Sequence, residues 1–148
     1  MKTMLIAVGG NSLIRAGEKG TVAEQLANAR RTAAAIIGLI RMGYRLVITH
    51  GNGPQVGAAL LRSERASDQV PGHSLDVCGA ATQGEIGYLI AQSLQDELSA
   101  AGIRVPKRSS ASASLGGKSS KMRPVDTAAL CLRRNPWKSW NSKSFATW

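Results

Sequence analysis

The octapeptide His50-Gly51-Asn52-Gly53-Pro54-Gln55-Val56-Gly57 holds residue types that bind a small anion through the backbone. Its glycines permit positive φ and let a ligand come close to the main chain. Pro54 suits the first turn of a helix, where a missing N–H leaves nothing unpaired. The other N–H groups of such a turn point outward, and a phosphate or carboxylate is their natural guest. Gly9-Gly10-Asn11-Ser12 repeats the design in short form. Alone it reads as a plain turn, since glycines commonly do no more than punctuate turns. Beside the octapeptide, at the end of a neighbouring parallel strand, it becomes the second wall of one crevice.

Other candidate side chains are weaker. His50 is either a general base or a hydrogen-bonding spacer at a strand end, and the spacer is the favoured reading. Asp76 either caps a helix or meets a ligand. Cys78 fits as a small apolar residue. No His/Cys/Asp/Glu set has metal-ligand spacing, so no metal site is expected and no catalytic side chain is assigned. Neither glycine turn continues as Gly-Lys-Ser/Thr, and Gly117-Lys118-Ser119 has no strand before it, so a Walker loop is excluded.

The elements that must position these turns are those of an α/β protein. Thr3 to Val8 and Arg45 to Thr49 are short apolar runs ended by glycine turns, the pattern of buried parallel strands. Between them, Thr21-Val22-Ala23-Glu24 has the form of a capping box. Leu26, Ala29, Ala33, Ile36, Ile37 and Ile40 then recur at helical spacing up to Gly43. Strand, helix and strand make a βαβ unit. A second helix starts near Pro54, and a polar loop follows from Ser67 to Gly72. A long helix runs from about Ser74 to Ala101, with Gly102 as its stop. Gly79, Gly84 and Gly87 within it each cost about 1 kcal/mol relative to Ala. They imply close approach of a backbone or ligand, with tight helix–sheet packing the alternative for Gly79 and Gly87.

Charge divides the chain. The 148 residues carry a net charge of +10. Residues 1–105 contribute ten Lys/Arg and eight Asp/Glu, whereas residues 106–148 contribute nine Lys/Arg and only Asp126. Trp137, Trp140 and Trp148 all lie in the second part. No run of about 18 apolar residues is present, so no membrane span is expected. Two cysteines make no disulfide framework, and a cytoplasmic protein is the default. The expected domains are therefore an ordered segment, 1–105, and a basic Ser/Lys/Arg-rich tail, 106–148, whose composition predicts disorder.

Gly9-Gly10-Asn11 with the octapeptide resembles the carbamate kinases, a family of the amino-acid kinase superfamily. Leu75-Asp76-Val77-Cys78, Thr82-Gln83-Gly84 and Ile86-Gly87-Tyr88 resemble that family's next segment in the same order. The resemblance runs from Met1 to about Val105, the first third of a typical member. It implies a three-layer αβα amino-acid kinase-like fold. It implies reversible transfer of the γ-phosphoryl group of ATP to carbamate, giving ADP and carbamoyl phosphate. ATP/ADP with Mg²⁺ would be the cofactors, and a homodimer is among the implied assemblies. Gly9, Gly10 and Asn11 would surround the transferred phosphate. Gly51, Asn52 and Gly53 would hold carbamate and the developing charge. Such a reaction needs positioning and charge stabilisation more than covalent chemistry, and backbone N–H groups supply both.

The family continues with a lysine-bearing Pro-Thr-Lys-Pro segment and a second, nucleotide-binding lobe, neither of which residues 106–148 resemble. The chain is expected to be truncated, with a disordered or aberrant tail and little or no turnover. Residues 132–141 back-translate to codons whose shifted frame can read an acidic helix start of the family's kind, so a frameshift near residue 105 is the expected origin of the tail. Two other readings stand beside the kinase. The tail could make a nucleic-acid arm, with Trp137 and Trp140 stacking on bases, though nucleic acid is not the expected partner. Alternatively the product is inert, with an unpaired sheet edge and uncovered apolar faces that favour aggregation.

Overall fold

The computed structural model describes residues 2–103, together with the backbone of residues 112–113 and 128–132. Thr3–Val8 forms β1 and Arg45–His50 forms β2. They pair in parallel, in a register that sets Thr3 beside Arg45 and Val8 beside His50. Because the two strands end level, the glycine turns that follow them begin level as well.

Between them runs α1, Val22–Arg41. It starts where local chemistry says it must. The Thr21 N–H donates to Glu24 Oε2 at 2.8 Å, and the Glu24 N–H donates to Thr21 Oγ1 at 3.3 Å. That reciprocal box satisfies two of the free N–H groups of the first turn. The helix stops at Gly43, whose φ of 86° lets Tyr44 N–H return to the Leu39 carbonyl. Ala29, Ala33, Ile36, Ile37 and Ile40 are buried, as their spacing predicts, whereas Leu26 is half-buried. Gln25 and Asn28 share the buried face.

Two helices follow β2. α2 spans Gly53–Arg65 and α3 spans Leu75–Ala100. Gly102, at φ 68°, ends α3 as expected. One core joins these elements: Val8, Leu46 and Ile48 from the strands, the isoleucines of α1, and Ile86, Ile90, Leu94 and Leu98 of α3. Among the described residues the helices cover one face of the sheet. On the other face Thr3, Leu5 and Ala7 of β1 are exposed, Leu5 to 67%. The architecture is thus α/β, and the second helical layer of an αβα sandwich is not among the described residues. No helix among them is long and apolar enough to cross a membrane.

Two short strands come from the basic stretch. Ser112–Ala113 is β3, and the apolar run Ala128–Leu132 is β4. β4 pairs antiparallel with β2, giving the order β1-β2-β4-β3. The rest of residues 106–148 lies outside the described residues, and with it the readings placed there: disorder, a frameshift and a nucleic-acid arm using Trp137 and Trp140.

Candidate functional site

The site lies where β1 and β2 end. After β1, Gly9 is extended and Gly10–Ser12 closes as a single 3₁₀ turn, with Ser12 N–H donating to the Gly9 carbonyl at 2.9 Å. After β2, Gly51 N–H donates across to the Val8 carbonyl at 3.0 Å, which extends the pairing of the strands into the turns. The turns then touch. A Cβ built on Gly51 would lie 3.1 Å from Gly10 N and 3.6 Å from its Cα. A Cβ on Gly10 would lie 3.2 Å from Pro54 Cδ. Each glycine is needed because the other turn occupies the space a side chain would take.

That reason differs from the expected one. Positive φ occurs at Gly17, Gly20, Gly43 and Gly102, and at none of Gly9, Gly10, Gly51 or Gly53. Close approach, rather than left-handed backbone, explains the glycines at the site.

Asn52 is the pivot of the second turn. It is 1% exposed, and its Nδ2 donates to Thr82 Oγ1 at 2.8 Å and to the Gly79 carbonyl at 3.2 Å. Thr82 Oγ1 in turn donates to the Cys78 carbonyl at 2.7 Å. The side chain therefore leaves its own helix uncapped and anchors the turn to α3. Val56 N–H returns to the Asn52 carbonyl at 3.0 Å and opens α2. The N–H groups of Gly53 and Gln55 precede that bond and have no helical carbonyl behind them. Beside them, Gln55 Nε2 donates to Gln25 Oε1 at 3.0 Å, and Gln25 Nε2 to the Gly20 carbonyl at 2.9 Å.

His50 is buried, with Nδ1 3.1 Å from the Gly51 carbonyl. Nε2 has no partner among the described residues, and a Cβ on Gly87 would lie 4.0 Å from it. Burial holds this imidazole below its ordinary pKa. The geometry is that of the spacer rather than of a base facing solvent.

The arrangement is a rigid pair of backbone turns that presents amide donors at a helix N-terminus. Known proteins are similar to this chain over these elements. The carbamate kinase of Thermococcus kodakarensis is 52% identical over 110 residues, which is 72% of this chain and 35% of that protein. That of Pyrococcus furiosus is 47% identical over 104 residues, 69% of this chain and 33% of its own. Carbamate kinase from Giardia lamblia bound to AMP-PNP superposes with a TM-score of 0.67 at 41% identity, covering 69% of this chain and 36% of that one. This chain carries the N-terminal part of a carbamate kinase fold. It spans about a third of the length of the curated relatives it matches. No protein-family model matches it.

Within this carbamate kinase segment the six residues picked from sequence fall into two groups. Gly10, Gly51 and Asn52 are half-buried or buried where the turns meet, whereas Gly9, Asn11 and Gly53 are exposed at the rim. Asp76 does not take the cap position of its helix. Ser74 holds the cap position of α3, and its hydroxyl bonds the Asp76 carboxylate, which keeps that group below its ordinary pKa. Cys78 is buried. Among the described residues, Gly79 and Gly84 meet no neighbour that a Cβ would strike. Gln25 was missed, although a signal existed: it sits one turn before Ala29 on an otherwise apolar stripe, as a buried polar residue with a partner would.

Proposed function

We propose that the two interlocked turns form the acceptor side of a carbamate kinase-type phosphoryl-transfer site. Carbamate would lie against the second turn, and the transferred group between the two. The observation that carries this reading is the contact of Gly51 with Gly10. It sets two sets of backbone amides side by side with no side chain between them, as a small, highly charged transition state requires. The likeness to carbamate kinases over the same elements supports the substrate class.

ATP or ADP is the nucleotide this reading implies, and when bound it supplies the transferable phosphoryl group. The described residues contribute amide donors for that group. They include no cluster of three or more His, Cys, Asp or Glu that could hold a metal, so no step is assigned to Mg²⁺ here. What this segment does is bind and orient. Gly53 and Gln55 N–H groups would accept negative charge as it develops, and the anchored Asn52 keeps them from moving away.

Titrating the 148-residue polypeptide with carbamoyl phosphate should shift the amide resonances of Gly10, Asn52 and Gly53. Shifts confined to other regions, or none, would refute the site. Coupled assay of ATP formation from carbamoyl phosphate and ADP should stay at background for this polypeptide alone, because the reading assigns it only the acceptor side. Sustained ATP formation would overturn that assignment.

A further inference from the structure

We propose that His50 is a positioning residue that aims the anion-binding amides of the second turn through the Gly51 carbonyl. The proposal rests on the phosphoryl-transfer reading and deepens it.

Gly51 is held at both of its polar groups. Its N–H is bound by the Val8 carbonyl at 3.0 Å, and its carbonyl lies 3.1 Å from His50 Nδ1. A carbonyl oxygen only accepts, so Nδ1 must carry the proton. The peptide that joins Gly51 to Asn52 is planar, and in the trans form its C=O and N–H point in opposite directions. Drawing the carbonyl toward the imidazole therefore turns the Asn52 N–H the other way. Asn52 is fixed from its far end too, through Thr82 and the Gly79 carbonyl. The peptide plane is thus clamped between β2 and α3, and the Gly53 N–H that follows inherits its direction.

The imidazole itself has one functional edge. Nε2 is buried and, among the described residues, unpartnered, against α3 at Gly87, where only a glycine or a small side chain leaves room. A ring used as a proton carrier would need a path from that nitrogen to ligand or water. A ring used as a strut needs only Nδ1–H.

The test is made on the full chain, labelled for NMR, with inorganic phosphate as the probe. Near neutral pH the ring nitrogens should report a protonated Nδ1 and a bare Nε2. Phosphate should shift the Asn52 and Gly53 amides. His50→Leu should weaken that binding about tenfold, the equivalent of one lost hydrogen bond. His50→Asn places an amide donor near the position of Nδ1 and should restore binding to within about threefold of the starting protein. A role in packing alone would favour Leu over Asn, so the order of the two variants separates the cases, provided each keeps its dispersed amide spectrum. If His50→Leu fails to fold, His50→Asn and the ring tautomer decide. A proton found on Nε2, or a His50→Asn variant as weak as one lacking the donor, overturns the proposal while the site reading stands. If phosphate moves neither amide in the unsubstituted chain, the site reading is what has failed, and the role of His50 falls with it.

Discussion

The turn after β1 and the turn after β2 are short and long versions of the same glycine-asparagine pattern, yet different forces hold them. The first is closed by its own backbone, as one 3₁₀ turn with Asn11 exposed. The second is tied to the body of the protein by buried side chains. Asn52 reaches α3, His50 braces Gly51, and Gln55 meets Gln25 of α1. The first turn draws on the body of the protein at its end alone, where buried Asn28 Nδ2 of α1 donates to the Leu13 carbonyl at 3.1 Å. A loop braced from three elements is preorganised, and preorganised donors cost no rearrangement when charge develops in front of them. On the proposed reading, the second turn is the braced platform of the site and the first packs against it.

The contact between the turns gives the largest effect. Gly51→Ala puts a Cβ 3.1 Å from Gly10 N, and both neighbours are backbone, so neither can swing aside. Overpacking of this kind should cost about 3 kcal/mol. Urea unfolding should show a lower midpoint with an unchanged slope. An unaltered midpoint would mean that the turns do not interlock. Next comes the anchor of the platform. Asn52→Ala removes a donor from two buried acceptors and should cost about 2 kcal/mol. In a double-mutant cycle it should couple to Thr82→Val by at least about 0.5 kcal/mol, since the two side chains bond directly. Simple additivity would disprove the anchor.

Acid should separate the two turns. Burial lowers the folded pKa of His50, so below the ordinary value near 6.5 the unfolded chain binds the proton more readily. Stability is then fully present above that value and falls as the pH drops through it toward the folded pKa. Amide exchange should accelerate around Gly51 and Asn52 before it does at Ser12 and Leu13, and His50→Asn should remove the difference. Equal acceleration in both turns would break the comparison.

How far such differences can be read in advance depends on whether their causes are local. The start and stop of α1 are legible because Thr21, Glu24 and Gly43 act within one turn of themselves. The positions of both glycine turns are legible because each ends an apolar run. The work of Gly51 is not. It depends on the register of β1 against β2, which brings Gly10 within reach from 41 positions away. Asn52 takes the cap position of α2, but its hydrogen bonds go to α3, 27 and 30 residues on, which no local pattern announces. Composition likewise marks residues 106–148 as a charged, serine-rich stretch, while the apolar run Ala128–Leu132 inside it pairs with β2.

The smallest effect on stability should be the most informative about chemistry. Gly53 begins α2 beside the platform, is exposed, and has none of the described residues within 4 Å of the place a Cβ would take. Its φ is not positive, so alanine suits the backbone there. Gly53→Ala should change stability by less than about 0.5 kcal/mol, as surface substitutions generally do. If an anion comes up to the backbone at this point, the added methyl stands where the anion must pass. Phosphate binding should then weaken about tenfold, or about 1.4 kcal/mol in binding free energy, in a protein that unfolds like its parent. Gly51→Ala would couple the two losses and could not separate them. Gly53→Ala can, because Gly53 is open and its φ is not positive, so the substitution probes the ligand without disturbing the contact between the turns. Unimpaired phosphate binding in that variant would remove the exposed rim from the site and leave only the buried contact between the turns.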